Sequence, residues 1–338
     1  MSHVRLLLTA SALVALVSCS AFGSSGCDPT SQVDVKHDPI PTLQAAKPSF
    51  DALEIDQAAH LLYVADRSDQ GIDVFDVSTP HPAFVRTVPV GSQPNGLALA
   101  PELGKLYAGL EDGNLAVLAL GAQPVLMKKV NVKAPADLLE YVPNVKKIYA
   151  GTADSVAVVD AGADTLLKSI KLQKGIEQPR WNPADGLLYV AGHDQNAVYV
   201  VDPRQDRLLR TQAIEATCKP AGIAINPKLN QGLLACTSTQ TLVWDFKAAH
   251  RTTIIDQVTG GDIAIYDARA GRFFVAEPGA KGGPEIAIYQ GSPIRYSTAV
   301  GIDGAGSGVA YDETNGLVYT VDQRAGKGGI YSFKPPVC

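Results

Sequence analysis

One strand pattern recurs seven times along the chain, and no other property of the sequence narrows its fold so far. An apolar core carrying Tyr or its equivalent appears as His60-Leu-Leu-Tyr-Val-Ala65, Lys105-Leu-Tyr-Ala-Gly109, Lys147-Ile-Tyr-Ala-Gly151, Gly186-Leu-Leu-Tyr-Val-Ala191, Gly232-Leu-Leu-Ala-Cys236, Arg272-Phe-Phe-Val-Ala276 and Gly316-Leu-Val-Tyr-Thr320. Aligned on Tyr63, Tyr107, Tyr149, Tyr189, Leu234, Phe274 and Tyr319, the spacings are 44, 42, 40, 45, 40 and 45 residues. A period of this length with four short strands per unit is that of a propeller blade. Each unit opens with a small-residue strand such as Gly96-Leu-Ala-Leu99 or Gly222-Ile-Ala-Ile225, turns through residues like Asn182-Pro-Ala-Asp-Gly186, and enters the Tyr strand. A strand such as Ala197-Val-Tyr-Val-Val-Asp202 and a variable fourth strand complete it. The reading is all-β: a seven-bladed β-propeller of four-stranded antiparallel blades. Small residues let the innermost strands crowd together, and the Tyr and Phe rings fill the wider space between sheets while keeping a polar tip for a partner.

The seventh unit decides how the ring closes. Ser307 to Lys334 holds only three strands, so the fourth is expected from the N-terminal side, from an extended stretch near Ile40 to Ala45 pairing with Gly329-Ile-Tyr-Ser-Phe333. Such closure would bring the chain ends, and with them Cys27 and Cys338, together. Cys218 and Cys236 fall in one repeat, close enough to bridge or to remain as buried thiols. Four cysteines allow three connectivities, which sequence does not choose among.

Residues 1–18, with Arg5 ahead of the apolar run Leu6–Val17, have the form of a secretory signal, too short to span a bilayer. Leu16-Val-Ser-Cys19 has the form of a lipobox, in which Cys19 would be acylated and begin the mature chain; cleavage near Ala21, giving a signal of 1–21, is the alternative. Residues 19–38 are expected to be an irregular tether and 39–338 a single propeller domain. The chain is therefore expected in the periplasm, or at the outer membrane as a lipoprotein, touching the membrane only through that anchor. The formal net charge of −5, with no basic block, leaves no footprint for nucleic acid. A monomer is expected.

The flow Pro220-Ala-Gly-Ile-Ala-Ile-Asn-Pro227, then Gly186-Leu-Leu-Tyr-Val-Ala191, then Val198-Tyr-Val-Val-Asp202 resembles the YVTN-type β-propeller repeats of exported bacterial proteins similar to the YncE family. The resemblance covers about Phe50 to Phe333 and implies the fold. It implies no chemistry, because the motif residues are structural and propellers host unrelated functions.

Catalytic motifs are sparse. No Cys-x-x-Cys-His occurs, and His37, His60, His81, His193 and His250 have no ligand spacing. No Gly-x-Ser-x-Gly occurs, and Gly304-Ala-Gly-Ser-Gly308 reads as a loop without a helix behind it. Strand-end aspartates such as Asp76, Asp160, Asp202 and Asp245 read as caps of the following turns. One constellation stands out. Twelve residues before each landmark, or thirteen in the fifth repeat, lie Asp51, Asn95, Asp137, Glu177, Ala221, Asp262 and Ser307. At the start of the innermost strands these would surround one channel mouth, where converging oxygens suit calcium or another divalent cation; the competing reading places them in hydrogen bonds between blades. Arg180 and Trp181 are candidates for an anionic or ring-bearing ligand, with core filling the alternative for Trp181. Together these features read as a binding or interaction module in the cell envelope, taking a protein, an envelope component or a small molecule. A lactonase-like hydrolase using a metal held by the acids is the alternative.

Overall fold

Runs of small and β-branched residues broken by Asn, Asp and Gly turns form 28 strands, described by a computed structural model over residues 33–238 and 240–336. They make seven four-stranded antiparallel sheets set in a ring, a seven-bladed β-propeller. Blades 1 to 6 are each four consecutive strands, beginning with the inner strands Phe50–Asp56, Pro94–Ala100, Ala136–Val142, Ile176–Asn182, Pro220–Asn226 and Ala264–Asp267. Blade 7 holds Ala310–Asp312, Leu317–Asp322 and Gly329–Phe333, and takes its fourth strand from Lys36–Pro39.

Closure thus comes from the N-terminal side, but from Lys36–Pro39 and not from Ile40 to Ala45. Lys36, His37, Asp38 and Pro39 pair with Ser332, Tyr331, Ile330 and Gly329. The polar run Lys-His-Asp suits an outermost strand whose exposed side chains discourage further pairing. Ile40 is needed elsewhere: it is buried in a cluster with Phe50, Tyr319 and Ile330, and the chain turns just beyond it. The last residues of the expected tether therefore belong to the ring. Signal, Cys19, Cys27 and Cys338 lie outside the described residues.

The landmark side chains work as expected, filling space between blades and reaching across with their tips. The Tyr107 hydroxyl in blade 2 lies 2.6 Å from Asp164 Oδ1 and 2.9 Å from the Ala161 carbonyl in blade 3. Tyr149 repeats this toward blade 4, 2.6 Å from Asp206 Oδ1 and 3.0 Å from the Pro203 carbonyl. Lys105 and Lys147 donate to the same two aspartates at 2.8 and 2.6 Å. Tyr189 reaches the Phe246 carbonyl of blade 5 at 3.4 Å, and Asn315, bonded to the Tyr319 hydroxyl, donates to the Val77 carbonyl of blade 1. The Tyr63 hydroxyl is buried without a partner among the described residues. Strand-end aspartates cap turns as read: Asp160 Oδ1 accepts the Gly162 and Ala163 N–H groups at 2.8 and 2.9 Å, and Asp245 Oδ1 that of Ala248 at 2.7 Å.

Close approach at the axis depends on glycine. A Cβ on Gly222 or Gly308 would collide with the backbone oxygen of Asp262 or Asp51 in the next blade. Further along the channel, Ala52, Leu97, Leu138 and Ile263 from blades 1, 2, 3 and 6 belong to one buried cluster. Blade 6 adjoins none of the other three, so these side chains meet across the axis and form an apolar belt between the two mouths.

Cys218 and Cys236 are both buried and bonded to each other, spanning 18 residues. The bridge fastens the start of blade 5's inner strand to the end of its neighbour, where Pro220 pairs with Cys236. Replacing both cysteines by alanine is expected to cost about 3 kcal/mol. Thermal midpoints of chains beginning at Val33, with and without reductant, check this: reductant should lower the parent to the level of the variant and leave the variant unmoved.

Candidate functional site at the channel mouth

Residue alternation in a strand sends neighbours to opposite faces, so residues three apart in a regular strand cannot share one. Inner strands here break that rule. Each of blades 1, 3 and 4 carries a register shift, between Phe50 and Leu53, Ala136 and Leu139, and Ile176 and Pro179. One extra residue re-aims the chain. Asp51 and Glu54, Asp137 and Glu140, and Glu177 and Arg180 can therefore all face the channel from the same three strands, the first of each pair at one mouth and the second at the other.

At the first mouth the sequence-derived ring is assembled. Asp51, Asp137, Glu177 and Asp262, from blades 1, 3, 4 and 6, lie near enough to perturb one another. Burial, reinforced by Asp137 and Asp262, pushes the Asp51 carboxyl up to about 8. Burial with the charges of Asp137, Asp262, Asp51 and Asp194 takes Glu177 to about 8. Asp137 is raised to about 6 by burial and Asp262. Burial raises Asp262 too, opposed by a hydrogen bond with Ser307 and by nearby His193. Buried carboxyls of which three are raised further by their neighbours make this mouth a place where added positive charge is favoured.

Asn95 serves the wall instead. Its amide donates to the Ala136 carbonyl of blade 3 at 2.9 Å, and its oxygen accepts from Arg67. Arg67 also reaches Asp51 and Glu111, at 3.3 and 3.4 Å, balancing the ring on one side only. A cavity of about 520 Å³ opens here, lined by Asp137, Glu177, Asp194, Glu111, Arg67 and Lys174 among others. His193, read from sequence as an exposed turn residue, stands beside the mouth with its nitrogens 3.0 Å from Asp194 Oδ1 and Thr237 Oγ1. Among the described residues, no three His, Cys, Asp or Glu side chains are gathered closely enough to hold a metal ion.

Arg180 and Trp181 are not part of this mouth. They line a second cavity of about 340 Å³ on the other side of the apolar belt, together with Glu54 and Glu140. Arg180 Nη1 donates to Glu140 Oε2 at 2.7 Å, so its charge is matched by that carboxylate. Trp181 both packs against the blade core and lines the cavity. Glu54, Glu140, Arg67, Glu111 and Asp194 escaped the sequence reading. Three of the cavity's positions carried a signal, because Glu54, Glu140 and Arg180 pair across the ladder with Tyr63, Tyr149 and Tyr189, nine residues before each landmark. No protein-family model matches the chain, and no curated protein matches it either. The fold defines a β-propeller, an architecture that serves as a binding module or an enzyme scaffold.

Proposed function

We propose that the protein is an exported binding module whose acid-ringed channel mouth holds a cationic ligand. The observation that carries this reading is the convergence of Asp51, Asp137, Glu177 and Asp262 from four blades on one mouth, where burial first and neighbouring carboxylates second raise Asp51, Asp137 and Glu177. Carboxyls contributed by four separate blades suit a cation with several N–H donors spread over some length, such as a polyamine or a basic peptide segment. Export rests on the N-terminal pattern of residues 1–21 and is supported by the Cys218–Cys236 bridge, a bond that oxidising compartments maintain. No helix among the described residues is long and apolar enough to cross a membrane.

Calorimetric titration with spermidine, with trilysine and with calcium chloride, each at pH 7, tests the reading. Spermidine or trilysine should bind with release of protons to the buffer, because the cation displaces protons held by Asp51 and Glu177. The Asp137→Asn, Glu177→Gln double variant should bind at least about tenfold more weakly. Binding that ignores the double variant, or no binding by any of the three, removes the proposal. One calcium ion lost in the same variant would turn it toward the metal-dependent reading.

A further inference from the structure

The second cavity is built differently from the acid ring, and its charge balance leaves one group over. Glu140 is fully engaged: Oε2 accepts from Arg180 Nη1 at 2.7 Å and Oε1 accepts the Trp181 backbone N–H at 3.1 Å. Arg180 Nη2 donates to the Ala264 carbonyl of blade 6 at 3.3 Å, which fixes the guanidinium on the channel wall. Glu54 faces this neutralised pair from blade 1 and accepts no hydrogen bond from any described residue. Around it the lining is mixed, with Trp181, Tyr266 and Tyr311 on the walls beside the polar Gln57 and Gln178, and the belt of Leu97, Leu138 and Ile263 as the floor. Two of the rings are held by neighbours: Tyr311 stacks on Phe274 at 5.1 Å and Tyr266 leans on Phe273 at 4.6 Å.

We infer that this closed-ended cavity is a second, independent binding site, for a small primary amine carrying an apolar or aromatic body. Its ammonium group would complete the unmatched Glu54 carboxylate, and its body would lie among Trp181, Tyr266 and Tyr311, where ring faces also attract a cation. An anion is disfavoured, since Arg180 is already paired with Glu140 and Glu54 would repel it. A long polycation is disfavoured by the floor, which separates this cavity from the acid ring. Neither the belt nor the Arg180–Glu140 pair depends on whether the first mouth binds anything, so the two readings stand or fall separately.

Phenethylamine is the probe, titrated calorimetrically against the full-length protein with 2-phenylethanol and phenylacetate as its neutral and anionic counterparts. One phenethylamine per chain should bind, with 2-phenylethanol at least about tenfold weaker and phenylacetate weaker still. Glu54→Gln should lose at least about tenfold in affinity, whereas Asp137→Asn at the far mouth should stay within about twofold. Wild-type protein supplies an arm that needs no variant. The charged or titratable groups lining the cavity with Glu54 are Arg180, Glu140, Tyr266 and Tyr311, and burial raises the Glu54 carboxyl to about 7 while Arg180 opposes the rise. Phenethylamine affinity should therefore climb from pH 6 to pH 8, as Glu54 loses its proton and the amine keeps its own. Equal binding of 2-phenylethanol, undiminished binding by Glu54→Gln, a flat profile from pH 6 to 8, or no saturation at millimolar amine would each overturn the inference.

Discussion

A chain beginning at Ile40 should unfold about 10 °C below one beginning at Val33, although the two differ by only seven residues. The shorter chain lacks the closing strand Lys36–Pro39 and leaves the edge of Gly329–Phe333, a strand buried along its whole length, without a partner. It also loses the contact of His37 Nε2 with Asp322 Oδ2 at 3.0 Å and the edge-on packing of His37 against Tyr331 at 5.1 Å. A few ladder hydrogen bonds at about 1 kcal/mol each, with the apolar surface they cover, amount to about 3–5 kcal/mol. For a domain of this size each kcal/mol moves the midpoint by about 2–4 °C. Starting the reference chain at Val33 removes Cys27 from both, so any bond that cysteine makes cancels. An open edge is also a template for pairing with another copy, and the shorter chain should show dimers or larger species on size exclusion. Equal midpoints would mean that the ring does not depend on this strand.

The second large effect is on pH. Burial raises the carboxyls of Asp51, Asp73, Glu177 and Glu277 to about 8 and that of Glu54 to about 7, against 3.8 for aspartate and 4.5 for glutamate in an unfolded chain. Between these limits the native protein holds protons that the unfolded chain has released, so the slope of stability with pH is negative. The stabilisation is complete below about pH 4 and is lost as pH rises to about 8, at about 1.4 kcal/mol per pH unit for each proton retained. Asp76, Asp112, Asp202 and Asp322 have the opposite sign, because hydrogen bonds hold their carboxyls below 3.8 and their contribution is lost only in stronger acid. Melting should therefore be highest near pH 4 and fall steadily toward pH 8.5. Asp73 supplies a control away from both mouths: it is fully buried beside Asp66 in blade 1 and accepts from Thr87 Oγ1 at 2.5 Å. Asp73→Asn should gain about 1–3 kcal/mol at pH 8.5 and little at pH 5. A melting temperature that rises from pH 5 to 8.5 would contradict the picture.

The ring was legible because the signal for a blade is covalent spacing. Tyr63, Tyr107 and their equivalents announce it before any strand is assigned, and even the polar tips of Tyr107 and Tyr149 could be given a task. The closing strand was harder. Nothing in Lys36-His-Asp-Pro39 has a strand's apolar alternation, since an outermost strand needs only backbone pairing, and Ile40 drew the expectation a few residues too far along. Half of the channel was legible for a related reason. Counting back to Asp51, Asp137, Glu177 and Asp262 located the first mouth, but a period of two then sends Glu54 and Glu140 away from the axis. Only the bulge at residues 50–53 and its counterparts bring them back, and a bulge set by packing between blades leaves no mark in a single strand's sequence. Asn95 shows the converse: its position in the ring was read correctly, and its amide nonetheless went to the Ala136 carbonyl.

The tyrosine bonds are unevenly distributed, joining blades 2 to 3, 3 to 4, 4 to 5 and, through Asn315, 7 to 1. Tyr63 has no such bond, and Leu234 and Phe274 have no hydroxyl with which to make one. At the hub the ties bridge the other joints as well: Arg67 links blade 1 to blade 2, the Gly261 N–H of blade 6 donates to the Cys236 carbonyl of blade 5 at 3.1 Å, and Asp262 of blade 6 is hydrogen-bonded to Ser307 of blade 7. A wheel fastened throughout at its hub but only in places at its rim can splay its outer strands without widening its bore. Substitutions and partners at the rim are thereby decoupled from the geometry of both mouths, and the outside of this protein is free to diversify while its axis stays fixed.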